Sequence, residues 1–239
     1  MKVNWSIVKV LVLLLTVMGL FAFSNSRHSK KPISELDVMF TDENNLYVTT
    51  GMVNKLLIQS FQGFDMVPKE NLVLNNMEKA IEANEMVKNA QVYLTVNGKL
   101  TTKIAQRNPI GRVESSTIYY LDDEGKRMPL SRNHSARVPV ITGNITEDSL
   151  AEVHFILNYV NGDDFLRKNV IGIQVLRNQK YQLKFRTESF VVNLGKAEEL
   201  DQKFNKFRAF YKKGKKDNSL TNYSLVSLEY NNQVVCTKI

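Results

Sequence analysis

The sequence predicts an α+β protein of 239 residues, with one N-terminal transmembrane helix followed by two globular parts. Three observations lead to this prediction. A long apolar run lies near the N-terminus, at residues 7–23. The segment after it changes from helical to alternating periodicity in the order strand, helix, helix, strand, strand. The remainder intersperses short β-prone runs with two amphipathic helices, which is typical of a mixed β-sheet with flanking helices.

The apolar run is interrupted only by Lys9 and Thr16. At a rise of about 1.5 Å per residue it reaches roughly 25 Å, enough for a thin hydrocarbon core. We therefore expect a cytoplasmic tail over residues 1–6, a retained transmembrane helix over 7–24 and a linker over 25–34. A cleaved signal peptide is the alternative, although "FAFSNS" lacks a small-x-small cleavage pattern. Flanking charges alone slightly favour a body that stays in the cytoplasm.

The first globular part is predicted over residues 35–108. A strand around Leu36–Phe40 and an extended piece at Leu46–Val48 precede a helix capped by Thr49 or Thr50. A second helix follows over about Leu72–Ala83. Two alternating strands then flank Asn97-Gly98, which is a strong signal for a β-hairpin with a type I′ turn.

The second part is predicted over residues 109–239. Two strands flank a turn at Asp123-Glu124-Gly125, and a short extended stretch ends at Gly143. Thr146 caps a helix that Gly162 ends, with an apolar stripe at helical spacing. The remaining predictions are three strands, one helix and a closing hairpin, at Val170–Arg177, Tyr181–Arg186, Phe190–Asn193, Ala197–Lys212 and Tyr223–Thr237.

Composition excludes several classes of function. The only cysteine, Cys236, rules out an internal disulfide and a CxxC zinc site. The net charge of +8 is concentrated at residues 27–31 and 203–216. Neither cluster accompanies aromatic residues on strands, so we expect solvated faces and no nucleic acid as a partner. No cofactor is expected, because the chain lacks a phosphate-binding glycine loop and metal-ligand spacing.

Catalytic groupings are also absent from the pattern. The acids of "LDDEGK" fit a turn better than a metal loop, since Asp and Gly are the residues that turns require. His134 lies in a polar loop and His154 in a helix, and neither has an evident orienting partner. The sequence therefore predicts a protein that is not an enzyme. A buried histidine paired with a carboxylate would revive the enzyme hypothesis.

The final strand, around Gln233–Thr237, is the main candidate for a binding site. It is β-prone, contains no proline and is expected at the edge of a sheet, where unpaired N–H and C=O groups face outward. We expect a partner segment to add there as a further strand, with Tyr230 as an aromatic anchor. A terminal strand that only completes the fold is the alternative. The candidate partner-binding residues are Tyr230, Asn232, Gln233, Val234, Val235, Cys236 and Thr237.

Five motifs, in order, resemble the FtsQ/DivIB family of bacterial cell-division proteins. They are "VKNAQVYLTVNGKLTTKIAQRNPIGRV" from Val87, "YYLDDEGKRMPL", "RVPVITGN", "KYQLKFRTESFVVNLGKAEELDQKFNKF" and "YSLVSLEYNNQVV". The resemblance implies that residues 35–108 form a POTRA domain (β-α-α-β-β) and that 109–239 form the C-terminal β domain. Glu229 departs from the family, which usually has arginine there.

The resemblance also implies a function. Such a chain is a single-pass inner-membrane protein with a cytoplasmic N-terminus and a periplasmic body at the division septum. It acts as a non-catalytic scaffold that binds FtsB-like and FtsL-like bitopic proteins and links early to late division proteins for septal peptidoglycan synthesis. Its POTRA domain contacts other divisome proteins. The alternative is a POTRA-containing component of outer-membrane protein assembly or secretion.

Overall fold

A computed structural model describes residues 5–29, 35–41, 46–61, 74–95 and 97–239. The chain divides into two compact units, Met1–Gln106 and Arg107–Ile239. Each unit has a hydrophobic core made only of its own residues. The predicted α+β class is confirmed, because helices accompany a three-stranded sheet in the first unit and a nine-stranded mixed sheet in the second.

The N-terminal helix, α1, runs from Trp5 to Ser29. Its described apolar side chains are largely exposed, with Leu13 at 66% and Phe21 at 73%. It includes residues 25–29, which the sequence analysis assigned to the linker, whereas 30–34 lie outside the described residues. The search of the described residues found no helix with the length and apolarity required for a membrane span. The predicted transmembrane helix over 7–24 is therefore not confirmed.

The first unit has the predicted order of strand, helix, helix, strand, strand after α1. Its elements are β1 (Glu35–Phe40), α2 (Thr50–Phe61), α3 (Leu74–Glu82), β2 (Val87–Leu94) and β3 (Lys99–Gln106). β3 is central, parallel to β1 and antiparallel to β2. Thr49 caps α2 as predicted, since its Oγ1 accepts the N–H of Met52 at 3.3 Å.

The piece predicted to be extended at Leu46–Val48 forms no strand. The backbone bends there, and the N–H groups of Tyr47 and Val48 donate to Gln106 Oε1 at 3.0 and 3.2 Å. Gln106 Nε2 in turn donates to Val48 O at 3.3 Å. A buried amide side chain therefore satisfies the backbone groups that a neighbouring strand would otherwise bind.

The hairpin between β2 and β3 is confirmed, but its turn is longer than predicted. The N–H of Thr95 donates to Lys99 O at 2.9 Å, so three residues lie between the closing pair. Gly98 has φ 90°, the left-handed conformation that favours glycine. Two-residue type I′ geometry is excluded by this closing pair, and residue 96 lies outside the described residues.

The second unit consists of nine strands and three helices. They are β4 (Pro109–Glu114), β5 (Ile118–Asp122), β6 (Arg127–Met128), β7 (Val140–Gly143), α4 (Glu147–Gly162), α5 (Asp164–Asn169), β8 (Val170–Val175), β9 (Tyr181–Phe185), β10 (Val191–Gly195), α6 (Leu200–Lys216), β11 (Tyr223–Ser227) and β12 (Val235–Lys238). The sheet order is β12-β11-β10-β9-β8-β7-β4-β5-β6. Parallel pairs join β4 to β7, β7 to β8 and β10 to β11.

Helices α4 and α6 pack their predicted apolar stripes into the core of this unit. The buried members of the two stripes are Leu150, Val153, Leu157, Val160, Leu200, Phe204 and Phe207. The helices meet where Tyr159 stacks on Phe204 with ring centroids 5.1 Å apart. Toward the sheet, the ring centroid of Phe207 lies 5.0 Å from that of Phe185 in β9. Aromatic packing thus fixes α6 against the half of the sheet that ends in β12.

The turn between β5 and β6 forms as the acidic motif predicts. Asp122 is fully buried, and its Oδ1 accepts the N–H groups of Glu124 and Lys126 at 3.0 and 2.7 Å. Its Oδ2 accepts from Arg107 Nη1 at 2.7 Å. Gly125 has φ 77°, so the turn requires a residue that tolerates the left-handed region.

Candidate partner-binding edge

Strand β12 lies at one edge of the nine-stranded sheet, as the sequence predicts. It pairs antiparallel with β11, with Cys236 opposite Val226 and Val235 opposite Ser227. Among the described residues, no strand pairs with its other side. An edge of this kind presents unpaired backbone donors and acceptors to solvent.

The backbone groups on the open side of β12 can be assigned from the strand alternation. The N–H of Ile239 points toward β11, because it donates to Asn222 O at 3.0 Å. In an antiparallel pair, successive residues direct their N–H and C=O groups to opposite sides. The backbone groups of Cys236 and the N–H of Lys238 therefore face the open edge, and those of Val235 and Thr237 face β11. The carbonyl oxygen of Lys238 accepts from Ser224 Oγ of β11 at 3.4 Å.

The side chains of the segment alternate between the core and solvent. Val234 and Cys236 are half-buried against the core of the second unit. Val235 is 38% exposed, and Thr237 is also exposed. Burial raises the pKa of the Cys236 thiol, so the side chain stays protonated at neutral pH and behaves as a small apolar group.

Two other sheet edges are less suited to adding a strand. β6, at the far end of the same sheet, is only two residues long. In the first unit, the edge strand β2 has two of its N–H groups occupied by side chains of α3. Ala90 N donates to Glu82 Oε1 at 3.0 Å and Val92 N to Glu78 Oε1 at 2.8 Å. Short or covered edges of this type resist pairing with another chain.

The turn between β11 and β12, residues 228–234, is anchored to α6, to β10 and to the loop before β9. Lys206 Nζ of α6 donates to Tyr230 O at 2.7 Å and to Asn231 O at 2.8 Å. Glu229 accepts from Lys180 Nζ at 2.8 Å and from Asn193 Nδ2 at 3.1 Å. The hydrogen bond to Glu229, followed by its charge, raises the pKa of Lys180. The turn is thus held in one conformation while the Tyr230 side chain remains 51% exposed.

The structure brings all seven predicted residues into one continuous feature. Tyr230, Asn232 and Gln233 lie exposed in the turn, and Val234 leads into the strand formed by Val235, Cys236 and Thr237. Whether they bind a partner stays a prediction. The supporting residues Lys180, Asn193 and Lys206 were not predicted from the sequence.

The basic segment of α6 is not uniformly a solvated face, contrary to expectation. Lys203 is only 7% exposed and its Nζ donates to Lys196 O at 2.8 Å. Burial is the main cause that lowers the pKa of Lys203. Lys203 and Lys206 lie one helical turn apart, and each directly precedes a buried phenylalanine of the apolar stripe of α6. This spacing beside buried positions was the available signal that the two lysines face the protein.

Titratable groups elsewhere form structural contacts. The half-buried His154 ring lies with Nε2 3.1 Å from the carbonyl oxygen of Asp123 and 3.1 Å from Asn158 Nδ2. Across the described ranges, no three His, Cys, Asp or Glu side chains are grouped so that they could hold a metal ion. The contacts of His154 connect α4 to the turn after β5.

The fold therefore defines a two-unit α+β protein whose second unit ends in an open sheet edge. Comparison with protein families matches residues 108–237 to the family described as FtsQ/DivIB, C-terminal related. The match covers more than half of the chain, which belongs to this family. A search of curated proteins found no match. Family membership supports a role in bacterial cell division and in interactions with the division machinery.

Proposed function

We propose that the chain is a membrane-attached, non-catalytic scaffold of the division machinery whose β12 edge binds an FtsB-like protein by strand addition. The observation that carries the proposal is the open edge at β12, flanked by a preformed turn with an exposed tyrosine. Main-chain hydrogen bonds of Cys236 and of the Lys238 N–H would give affinity, and the Tyr230 ring would add a contact of the kind that dominates interfaces. The same scaffold binds an FtsL-like partner and links early division proteins to septal peptidoglycan synthesis.

A proline substitution tests strand addition directly. Cys236→Pro removes a backbone N–H that faces the open edge and leaves the hydrogen bonds to β11 in place, so the fold should survive. Cys236→Val is the matched control, because it changes the same side chain and keeps the donor. We expect Cys236→Pro to weaken binding of the FtsB-like protein to the full-length chain by about tenfold or more, since a lost backbone hydrogen bond leaves an unpaired acceptor.

Tyr230→Ala should weaken the same binding by about 2 kcal/mol or more, as expected for an interface hot spot. Titration calorimetry of the detergent-solubilised proteins measures both effects, and thermal unfolding shows whether each variant stays folded. If folded Cys236→Pro and Tyr230→Ala proteins bind the partner as the wild type does, β12 only completes the fold.

We further propose that residues 7–24 attach the protein to the inner membrane, with a cytoplasmic N-terminus and a periplasmic body at the septum. The apolar composition of this segment and the exposure of its described side chains support the proposal. Alkaline phosphatase fused after Ile239 should be active, and green fluorescent protein fused there should be dark. The reverse pattern, or a mature N-terminus near Ser24, would contradict this topology.

A further inference from the structure

The β11–β12 turn, residues 228–234, has no regular secondary structure to fix its backbone, yet contacts from outside hold it at several points. The contact from α6 is the most specific. Lys206 Nζ approaches the carbonyl oxygens of two successive residues, Tyr230 and Asn231, at 2.7 and 2.8 Å. An ammonium group placed between two consecutive carbonyls fixes the orientation of both peptide groups. These groups flank the Cα of Asn231, and the first of them directly follows the Cα of Tyr230, so Lys206 constrains the backbone on the C-terminal side of the Tyr230 side chain.

The preceding residue, Glu229, is held by a separate set of contacts. Leu228 N donates to Asn193 O at 2.8 Å, and the Glu229 carboxylate binds Lys180 and Asn193. Gly195, with φ 71°, lies so close that a Cβ there would be 2.6 Å from Glu229 Cγ. Glu229 is therefore committed to contacts within the protein. The resemblance leads one to expect arginine at this position. In this protein Glu229 supports the turn through these contacts.

The same use of lysine occurs once more on α6. Lys203, three residues before Lys206, donates to Lys196 O in the loop before the helix. One face of α6 thus carries two ammonium groups that bind loop carbonyls, whereas Lys212 and Lys213 farther along the helix are exposed. Some lysines of α6 therefore bind backbone carbonyls and others are exposed to solvent. Lys206 belongs to the first group because of its contacts with the turn.

We propose that Lys206 is a positioning residue for partner binding: it holds the β11–β12 turn so that Tyr230 is presented to a strand that adds at β12. This inference rests on the proposed function. A turn that is already ordered lowers the conformational entropy that binding must remove, so its loss should weaken affinity mainly through faster dissociation. An exposed lysine of the same helix should instead act through long-range charge, which changes the association rate and its salt dependence.

The variant Lys206→Met tests the inference, because it keeps a long unbranched side chain and removes the donors. Lys213→Met is the matched control, with the same loss of charge on the same helix and no contact with the turn. We expect Lys206→Met to raise hydrogen exchange of the turn amides over residues 230–234. The FtsB-like protein should dissociate from this variant roughly three- to tenfold faster. Lys213→Met should leave both quantities unchanged, and Lys206→Arg, which retains several donors, should restore most of the wild-type behaviour.

A double variant separates positioning from direct contact. If Lys206 acts through Tyr230, Lys206→Met should cost little further affinity in a Tyr230→Ala background. Additive losses, or turn amides that exchange in Lys206→Met as in the wild type, would overturn the positioning role. If Tyr230→Ala weakens binding and Lys206→Met does not, the positioning role fails and the proposed binding site stands. If neither Tyr230→Ala nor Cys236→Pro affects binding, the proposed site itself is wrong, and the role of Lys206 in binding fails with it.

Discussion

Single side chains decide whether the edge strand β2 is open to another chain. On β2, the outward N–H groups of Ala90 and Val92 bind the carboxylates of Glu82 and Glu78, which lie four residues apart on α3. This spacing places the two carboxylates on one face of the helix, matching the alternate positions that face outward on a strand. On β12, by contrast, the hydrogen bonds that fix the segment involve its inward side and its turn.

The two carboxylates give a prediction for individual amides. Glu82→Ala should accelerate hydrogen exchange at Ala90, and Glu78→Ala should accelerate it at Val92. We expect about tenfold or more in each case, because a hydrogen bond to a charged group contributes about 1.5–3 kcal/mol. Each variant is the control for the other, and Glu78→Gln, which keeps an acceptor oxygen, should have a smaller effect than Glu78→Ala. Equal acceleration of both amides by either variant would indicate general loosening of α3 instead of a specific contact.

At the scale of the elements, the helices were the more predictable part. Thr146 was predicted as the cap of α4, and the structure shows a reciprocal capping pair with Ser149. Asp163 follows that helix, and its Oδ1 accepts the N–H groups of Phe165 and Leu166, so it caps the short helix α5, which the pattern did not reveal. Caps and apolar stripes depend on residues close in sequence, so they can be predicted from sequence alone.

Strand β4 shows why part of the sheet was missed. It begins with Pro109 and contains Gly111, two residue types that argue against an interior strand, yet it lies between β5 and β7. Packing favours glycine at position 111, since a Cβ there would lie 2.6 Å from Leu157 Cδ1 and 2.7 Å from Ile141 Cδ1, and these buried side chains would have to shift. Such a constraint comes from residues distant in the chain. The supports of the β11–β12 turn were missed for the same reason, whereas the edge position of β12 followed from its local pattern.

On the scale of the whole molecule, the two units have separate cores, and this favours a separate function for each unit. The first core includes Val53, Met77 and Ile104, and the second includes Ile141, Phe185 and Phe207, with no residue in common. A unit with its own core can fold alone, so residues 107–239 should retain their structure without the first unit. We propose that the first unit recruits the protein to the septum through other division proteins and that the second unit binds the FtsB-like partner.

Deletion of residues 35–106 tests this division. The shortened protein should lose septal localisation, measured by fluorescence microscopy of a tagged protein, and should still bind the FtsB-like protein with wild-type affinity, because β12 and its supporting turn belong to the second unit. Tyr230→Ala in the full-length chain is the reciprocal control, since it should lose partner affinity and keep its septal position. Loss of both properties in the shortened protein, with its unfolding transition intact, would mean that the two units act as one binding surface. Retained septal localisation would assign recruitment to residues outside 35–106.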